Sequence, residues 1–201
     1  MIKPAKIYET ELNTKLQGTM LDPYYKWWHM TYKDAIITVE STFWSKTQIV
    51  GVHDGKVTSY FSAVWDRPGN YVDNFICANF CKDHKVWFAA DMKAVFNYLI
   101  NEENAKKIRW VCVKNNPINK SYEKLVKKFG GRIIGTERYG AHCCGHNYDL
   151  VYYEWINDYY VCDDCGYKTK KDELVCKKCG SCLMSYVNPF ETSVQSMCSN
   201  I

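Results

Sequence analysis

The run IRWVCVKNNPINKSYEKLVKKFGGRIIGTERYG, residues 108–140, changes its hydrophobic period twice. IRWVCV is a short, nearly continuous apolar stretch, the kind that forms a strand buried on both faces. After Asn115-Asn116-Pro117 the apolar residues Tyr122, Leu125, Val126 and Phe129 recur at three and four positions. That is a helical stripe, with Lys120, Lys124, Lys127 and Lys128 on its wet side. Gly130-Gly131 ends the helix, and RIIGTERYG returns to strand character. A strand, a helix and a second strand in so short a run call for a sheet with parallel neighbours around Arg109–Val113.

Working upstream, VWFAADMKAVFNYLINEENAKK reads as a helix whose stripe is Phe88, Met92, Val95, Phe96 and Leu99. Before it, TQIVGVH and KVTSYFSAVWD flank Asp54-Gly55, the two-residue turn that best signals a hairpin. Arg67-Pro-Gly-Asn70 makes a second turn, and YVDNFICANF is a third strand of one meander. Further back, Tyr24, Trp27, Trp28 and Tyr32, then Ala35, Ile36 and Val39, fit helical spacing after Asp22-Pro23. They predict a helix that covers the core. Downstream, RIIGTERYG and NYDLVYYEWI form two last strands joined by AHCCGH. The expected order is a helix, then β-β-β-α-β-α-β-β. The fold class is α+β, a mixed and mostly antiparallel sheet flanked by helices, plus a small cysteine module.

Composition narrows the function classes. The chain has 201 residues, of which 47% are hydrophobic and 24% charged, the balance of a globular protein rather than a disordered one. No stretch reaches the roughly 20 apolar residues that span a bilayer, and MIKPAKIYETELNTKL lacks an apolar signal core. The expectation is a cytoplasmic protein with no membrane partner. In a reducing compartment, 11 cysteines point to thiols and a metal rather than disulfides. Between Ala105 and Arg132 stand nine basic residues and the single acid Glu123, on a chain whose net charge is only +4. That surface suits a phosphate-bearing ligand, nucleic acid or an acidic protein, and charge alone does not choose. A lysine-bearing helix face is also an ordinary solvated surface.

The succession from Thr47 to Ile156 resembles the GNAT superfamily of acyl-CoA-dependent N-acyltransferases. The likeness is carried by IRWVCV, the Asn-Pro start, SYEKLVKKFG, the Gly-Gly break, RIIGTERYG and the Asp149-led strand. The resemblance implies that acyl-CoA binds where the fourth and fifth strands splay, with its pyrophosphate at the next helix start. The family's Gln/Arg-x-x-Gly-x-Gly/Ala loop is missing here: the turn ANFCKDHKVWF, residues 78–88, contains no glycine. Lys82 and Lys85, with His84, would have to substitute by charge, and a solvated loop reads equally well. The family's pantetheine-contacting Asn maps to Asn115, Asn116 or Asn119. Its acid, often a tyrosine, maps to Tyr122 when counted from Asn115, whereas counting back from Gly130 pairs Asn119 with Val126. Tyr122 also fits a packed core position. For a base that takes the amine's proton, Asp73 and His84 are available, and Asp73 also suits a wet strand edge.

Cys162-x2-Cys165-x10-Cys176-x2-Cys179 is the strongest chemical signal in the chain. Two thiolates three positions apart on a tight turn chelate one Zn²⁺, and two such turns close a tetrahedron. Gly166 and Gly180 follow the second cysteine of each pair and let the turn aim its N–H groups at sulfur. The metal set is therefore Cys162, Cys165, Cys176 and Cys179, one structural zinc per chain, with YKTKKDELV as a connecting hairpin. Cys182 is an alternative to Cys179, although Gly180 favours Cys179. Cys198 is uncommitted. His142-Cys-Cys-Gly-His146 is too short to wrap one ion and reads as a hairpin loop. Cys77, Cys81 and Cys112 read as small core residues.

The expected organisation is residues 1–156 as the acyltransferase-like domain, with 1–45 helical and 47–156 the sheet core. Residues 158–184 form the zinc ribbon and 185–201 a tail. The leading function is acetyl-CoA-dependent transfer to an amine. The alternatives are an inactive GNAT-fold binding or virion component and a nucleic-acid-associated ribbon factor, with the ribbon or basic face meeting a protein or nucleic acid. A small, aromatic-rich, Lys/Asn-rich chain is compatible with a bacteriophage protein in the host cytoplasm or virion.

Overall fold

The alternation between Thr47 and Asn79 folds as the expected meander. In the computed structural model, which describes residues 1–31, 36–40, 44–143, 145–169, 175–182 and 184–187, β2 (Lys46–His53), β3 (Lys56–Asp66) and β4 (Tyr71–Asn79) pair antiparallel in sequence order. Asp54 and Gly55 take φ of 50° and 74°, the left-handed pair that a twisted two-residue hairpin needs, and His53 faces Lys56. The Arg67–Asn70 turn closes with Asn70 N–H on the Arg67 carbonyl at 3.0 Å.

The full sheet has seven strands in the order β1-β2-β3-β4-β5-β7-β6, where β1 is Ile2–Pro4, β5 Lys107–Val113, β6 Arg132–Cys143 and β7 His146–Ile156. The β4–β5 pair is parallel, so the sheet is mixed and mostly antiparallel. Contacts divide the chain into Met1–Trp155 and Ile156–Ile201. The second unit holds a three-stranded sheet, β10-β8-β9, of Met184–Val187, Tyr159–Cys162 and Lys168–Thr169.

Helices cover both faces of the large sheet. On one side α3 (Lys85–Asn97) sets Met92, Val95 and Phe96 against Phe61, Ala63 and Phe75, and α4 (Asn119–Phe129) adds Val126. On the other side α1 (Glu9–Thr19) buries Leu12 and Leu16 against Val50, Val57, Tyr60 and Ala78. Fully burying such an aliphatic side chain is worth about 1.5–3 kcal/mol. The two glycines after α4 serve different needs. Gly130 caps the helix at φ 79°, and a Cβ on Gly131 would lie 2.6 Å from the Glu154 carbonyl oxygen.

The N-terminal region departs from expectation. The helix expected across Tyr24–Val39 is short: a 3-10 turn at Pro23–Tyr25, capped by Asp22 at 3.0 Å from Tyr24 N, leads into α2, Lys26–Thr31. Tyr32 and Ala35 lie outside the described residues. Residues 36–40 are not helical, because their apolar period there is two: Ile37 and Val39 are buried between exposed Ile36 and Thr38. Side chains of α1 hold this segment. Asn13 accepts from Ile37 N at 2.7 Å and donates to its carbonyl at 3.0 Å, while Glu9 accepts from Val39 N. α1 falls within the stretch 1–45 expected to be helical, whereas the strand β1 was not expected.

A polar clasp ties α3 to the hairpin. The Asp91 carboxylate, 2% exposed, accepts from Ser59 Oγ at 2.9 Å and from His53 Nε2 at 3.0 Å. His53 also stacks on Trp87 at 4.7 Å. Gly51 makes room for the clasp: a Cβ there would lie 2.0 Å from Asp91 Oδ2 and 2.1 Å from Ser59 Oγ. Gly51→Ala is expected to lower unfolding free energy by at least about 2 kcal/mol, measured by urea titration. An unchanged midpoint would show that the clasp yields freely.

Candidate functional site

Strands β4 and β5 pair only at Tyr71–Lys107 and Val72–Ile108, then part. The gap they leave opens into a cavity of about 800 Å³ that passes from one face of the sheet to the other. One side is walled by Phe88, Met92 and Phe96 of α3 and by Ile118, Tyr122 and Leu125 at α4. The opposite side is walled by Tyr24, Tyr25, Trp27 and Trp28. Lys85, Lys93 and Lys124 stand at the helical α3/α4 side, exposed to solvent.

Among the candidates named from sequence, Tyr122, Lys85 and Asn116 line this cavity, while Asp73, Lys82, Asn115 and Asn119 do not. Tyr122 is half-buried, with its hydroxyl 3.0 Å from Cys77 Sγ. Burial, and then the neighbouring Cys77, push its phenol well above the ordinary tyrosine value. Burial likewise raises Cys77 to about 11 and Cys112 to about 12. These three groups are therefore protonated at neutral pH.

The other candidates are engaged elsewhere. Asn119 is a brace: its amide donates to the Val113 and Lys114 carbonyls at 2.7 and 2.8 Å and accepts from Tyr153 OH at 2.8 Å. Those bonds hold the turn from β5 into α4. Asp73 is exposed on β4 and pairs with Arg109 at 3.3 Å. Lys82 pairs with Asp22 and lies over the Tyr24 and Tyr25 rings. Asn115 borders a separate polar hollow of about 410 Å³ with Lys114 and His146–Asp149. His84 stacks on Trp87 at 4.0 Å, at the start of α3. The basic segment is not one free patch, since Arg109 also meets the buried Glu154, 3.9 Å away.

Two groups of lining residues carried no functional signal in sequence. Cys77 and Cys112 read as core thiols, and they face the cavity only because β4 and β5 diverge. Tyr24–Trp28 read as part of a covering helix, although four aromatics in five residues are a dense enough cluster to mark a binding wall.

In the second unit the sulfurs of Cys162, Cys165, Cys176 and Cys179 all lie within 4.8 Å of one another. Two equivalent knuckles bring them there. Gly166 N–H reaches the Cys162 carbonyl and Cys162 N–H the Tyr167 carbonyl; Gly180 and Cys176 repeat the pattern with Cys176 and Ser181. Both glycines have positive φ, 69° and 78°. Lys178 N–H points at Cys176 Sγ at 3.4 Å. Four converging thiols with backbone donors fit a structural zinc with no open coordination position. Cys182 is exposed and outside this group, and Cys198 lies outside the described residues. The connecting hairpin is described only as far as β9, with residues 170–174 outside the described residues. At the His142–His146 loop, Cys143 pairs across from His146 in the β6–β7 hairpin, and Cys144 lies outside the described residues.

No protein-family model matches the chain, and no curated protein sequence does. Solved structures do. An acetyltransferase of the GNAT family from Streptococcus pneumoniae superposes with a TM-score of 0.59 at 13% identity, covering 78% of this chain and 98% of that one. A probable acetyltransferase from Staphylococcus epidermidis ATCC 12228 gives 0.58 at 10%, with coverage of 78% and 98%. An N-acetyltransferase from Staphylococcus aureus Mu50 gives 0.56 at 12%, with 78% and 97%. The first unit has the GNAT fold, and identities this low speak for the fold alone.

Elemental analysis of the purified chain is expected to find about one zinc per molecule. Cys162→Ser with Cys176→Ser should abolish it, and chelation should strip hydrogen-exchange protection from Tyr159–Cys162. A metal-free chain that keeps this protection would refute the zinc site.

Proposed function

We propose that the first unit binds acetyl-CoA in the cavity between β4 and β5 and transfers the acetyl group to an amine. The observation that carries this reading is the through-sheet cavity itself, with a protonated phenol on its wall. The α3/α4 side offers an apolar channel with Lys85, Lys93 and Lys124 at its edge, a setting for a thioester chain that ends in phosphates. Asn116 lines the same side. The cofactor supplies the activated acetyl group.

The chain's own part is positioning and one proton. Tyr122 holds its proton throughout the neutral range and offers it to the sulfur that leaves. Cys77, at 3.0 Å, keeps the hydroxyl oriented. Of the two bases considered, Asp73 lies outside the cavity, paired with Arg109, and His84 lies against Trp87. The ribbon's closed thiolate set gives it a bracing or partner-binding part rather than a catalytic one.

A second reading, a GNAT-fold binding or structural protein that has lost catalysis, draws on Lys82. That lysine is spent on Asp22, beside a turn without glycine, so the phosphate end is less well equipped than the acyl end.

Calorimetry of the zinc-loaded chain should show acetyl-CoA binding; no heat at millimolar ligand would sink the transferase reading and leave the second. Tyr122→Phe should lower the transfer rate by about 100-fold or more while leaving acetyl-CoA affinity within a factor of about two. Because its phenol titrates above the ordinary value, no alkaline limb assignable to Tyr122 should appear below about pH 10. Binding without turnover for every amine tried would select the second reading.

A further inference from the structure

Resting on the transferase reading, we infer that the acceptor is an aromatic amine whose nitrogen is uncharged at neutral pH. The inference comes from the wall opposite α3 and α4. Tyr24, Tyr25, Trp27 and Trp28 form it, with Asn74 and Val111 from the parted strands. Flat π surfaces at the mouth of a slot select flat ligands, by area and by stacking.

Aromatic faces also attract cations, but here the chain's own cations take that role. Lys82 Nζ lies 5.0 Å from the Tyr24 ring centroid and 5.4 Å from that of Tyr25. Lys26 Nζ lies 4.7 Å from the Trp27 ring. An incoming ammonium would meet Tyr24, Tyr25 and Trp27 with a lysine already over each ring. Among the described residues that line the cavity, none is a carboxylate or an imidazole, and the charged ones are lysines. Among those residues a desolvated ammonium finds no counter-ion, and burying an unpaired charge is costly.

Proton accounting leads to the same class. A nitrogen attacks only through its lone pair, so an alkylammonium must first lose a proton to some base. The titratable thiols and the phenol inside the cavity hold their own protons. An arylamine needs no such step, because its lone pair is delocalised into the ring and stays unprotonated. Its nitrogen forms the new C–N bond and the thioester C–S bond breaks. Tyr122 gives its proton to the departing sulfur and regains one from the nitrogen, so one N–H proton ends on the thiol.

The test pairs p-anisidine, an uncharged arylamine, with benzylamine, an aromatic ammonium, and spermidine, a flexible polycation, all at pH 7. Calorimetry on the cofactor-free, zinc-loaded chain should show p-anisidine binding at least about ten-fold more tightly than either. Trp27→Ala should weaken it, and Asn74→Asp, which supplies a carboxylate at the mouth, should shift preference toward benzylamine. Equal or tighter binding of benzylamine or spermidine overturns the inference whether or not acetyl-CoA binds. With acetyl-CoA present, thiol release should follow the same order. Faster turnover of spermidine would overturn the acceptor class while leaving the transferase reading in place. Failure of acetyl-CoA itself to bind counts against that reading instead.

Discussion

Two residue pairs of parallel ladder, Tyr71–Lys107 and Val72–Ile108, hold the two halves of the sheet together before the strands part. The cavity of the first unit follows from that brevity. A fully zipped β4–β5 pair would leave a closed sheet, with Cys77 and Cys112 sealed beneath α3 and α4. Past the parting, the carbonyls of Val113 and Lys114 need partners other than β4, and Asn116 N–H supplies one for Val113 at 2.9 Å. The Asn119 amide meets both. A backbone N–H of the turn and a helix-borne side chain thus satisfy the end of β5 and its turn, and the same helix carries Tyr122 three residues further on.

The sides of this opening differ in kind. Toward α3 and α4 it is aliphatic and aromatic inside, with lysines at its edge. Toward Pro23–Thr31 it is flat, aromatic and shielded by Lys26 and Lys82. A sheet that separates two chemistries and joins them through one gap is an arrangement in which two ligands can meet without sharing a pocket wall.

What could be read from sequence was local. Asp54-Gly55, Gly130 and the Cys-x-x-Cys-Gly pairs act within a few residues, and each stands in the structure with the backbone geometry that its residue type implies. The order from β2 to β7 follows from the same short-range periods. Illegible were the partners across space. Leu12 and Leu16 alone make a thin stripe, so α1 shows itself only through the buried surface that it meets and the hydrogen bonds of Asn13 and Glu9. The two registers for the Asn and Tyr around α4 were undecidable by counting. Neither counted pair stands whole at the cavity: Asn119 is turned inward as a brace and Asn115 borders a separate hollow, while Asn116 and Tyr122 line the cavity. Lys82's attachment to Asp22, 60 residues away, has no signature in the sequence at all.

The clasp around Asp91 carries a consequence for how this chain can change over time. Its carboxylate serves Ser59 on one strand and His53 on the next, and it fits only because position 51 has no side chain. Four positions, 51, 53, 59 and 91, are therefore bound into one unit in which the tolerance of each depends on the others. Exchanging the carboxylate for an apolar residue strands a hydroxyl and an imidazole, while enlarging position 51 first displaces the carboxylate. Drift at this corner must pass through poorly stable intermediates or move several residues together. Distant descendants of this chain should keep all four or have replaced them as a set.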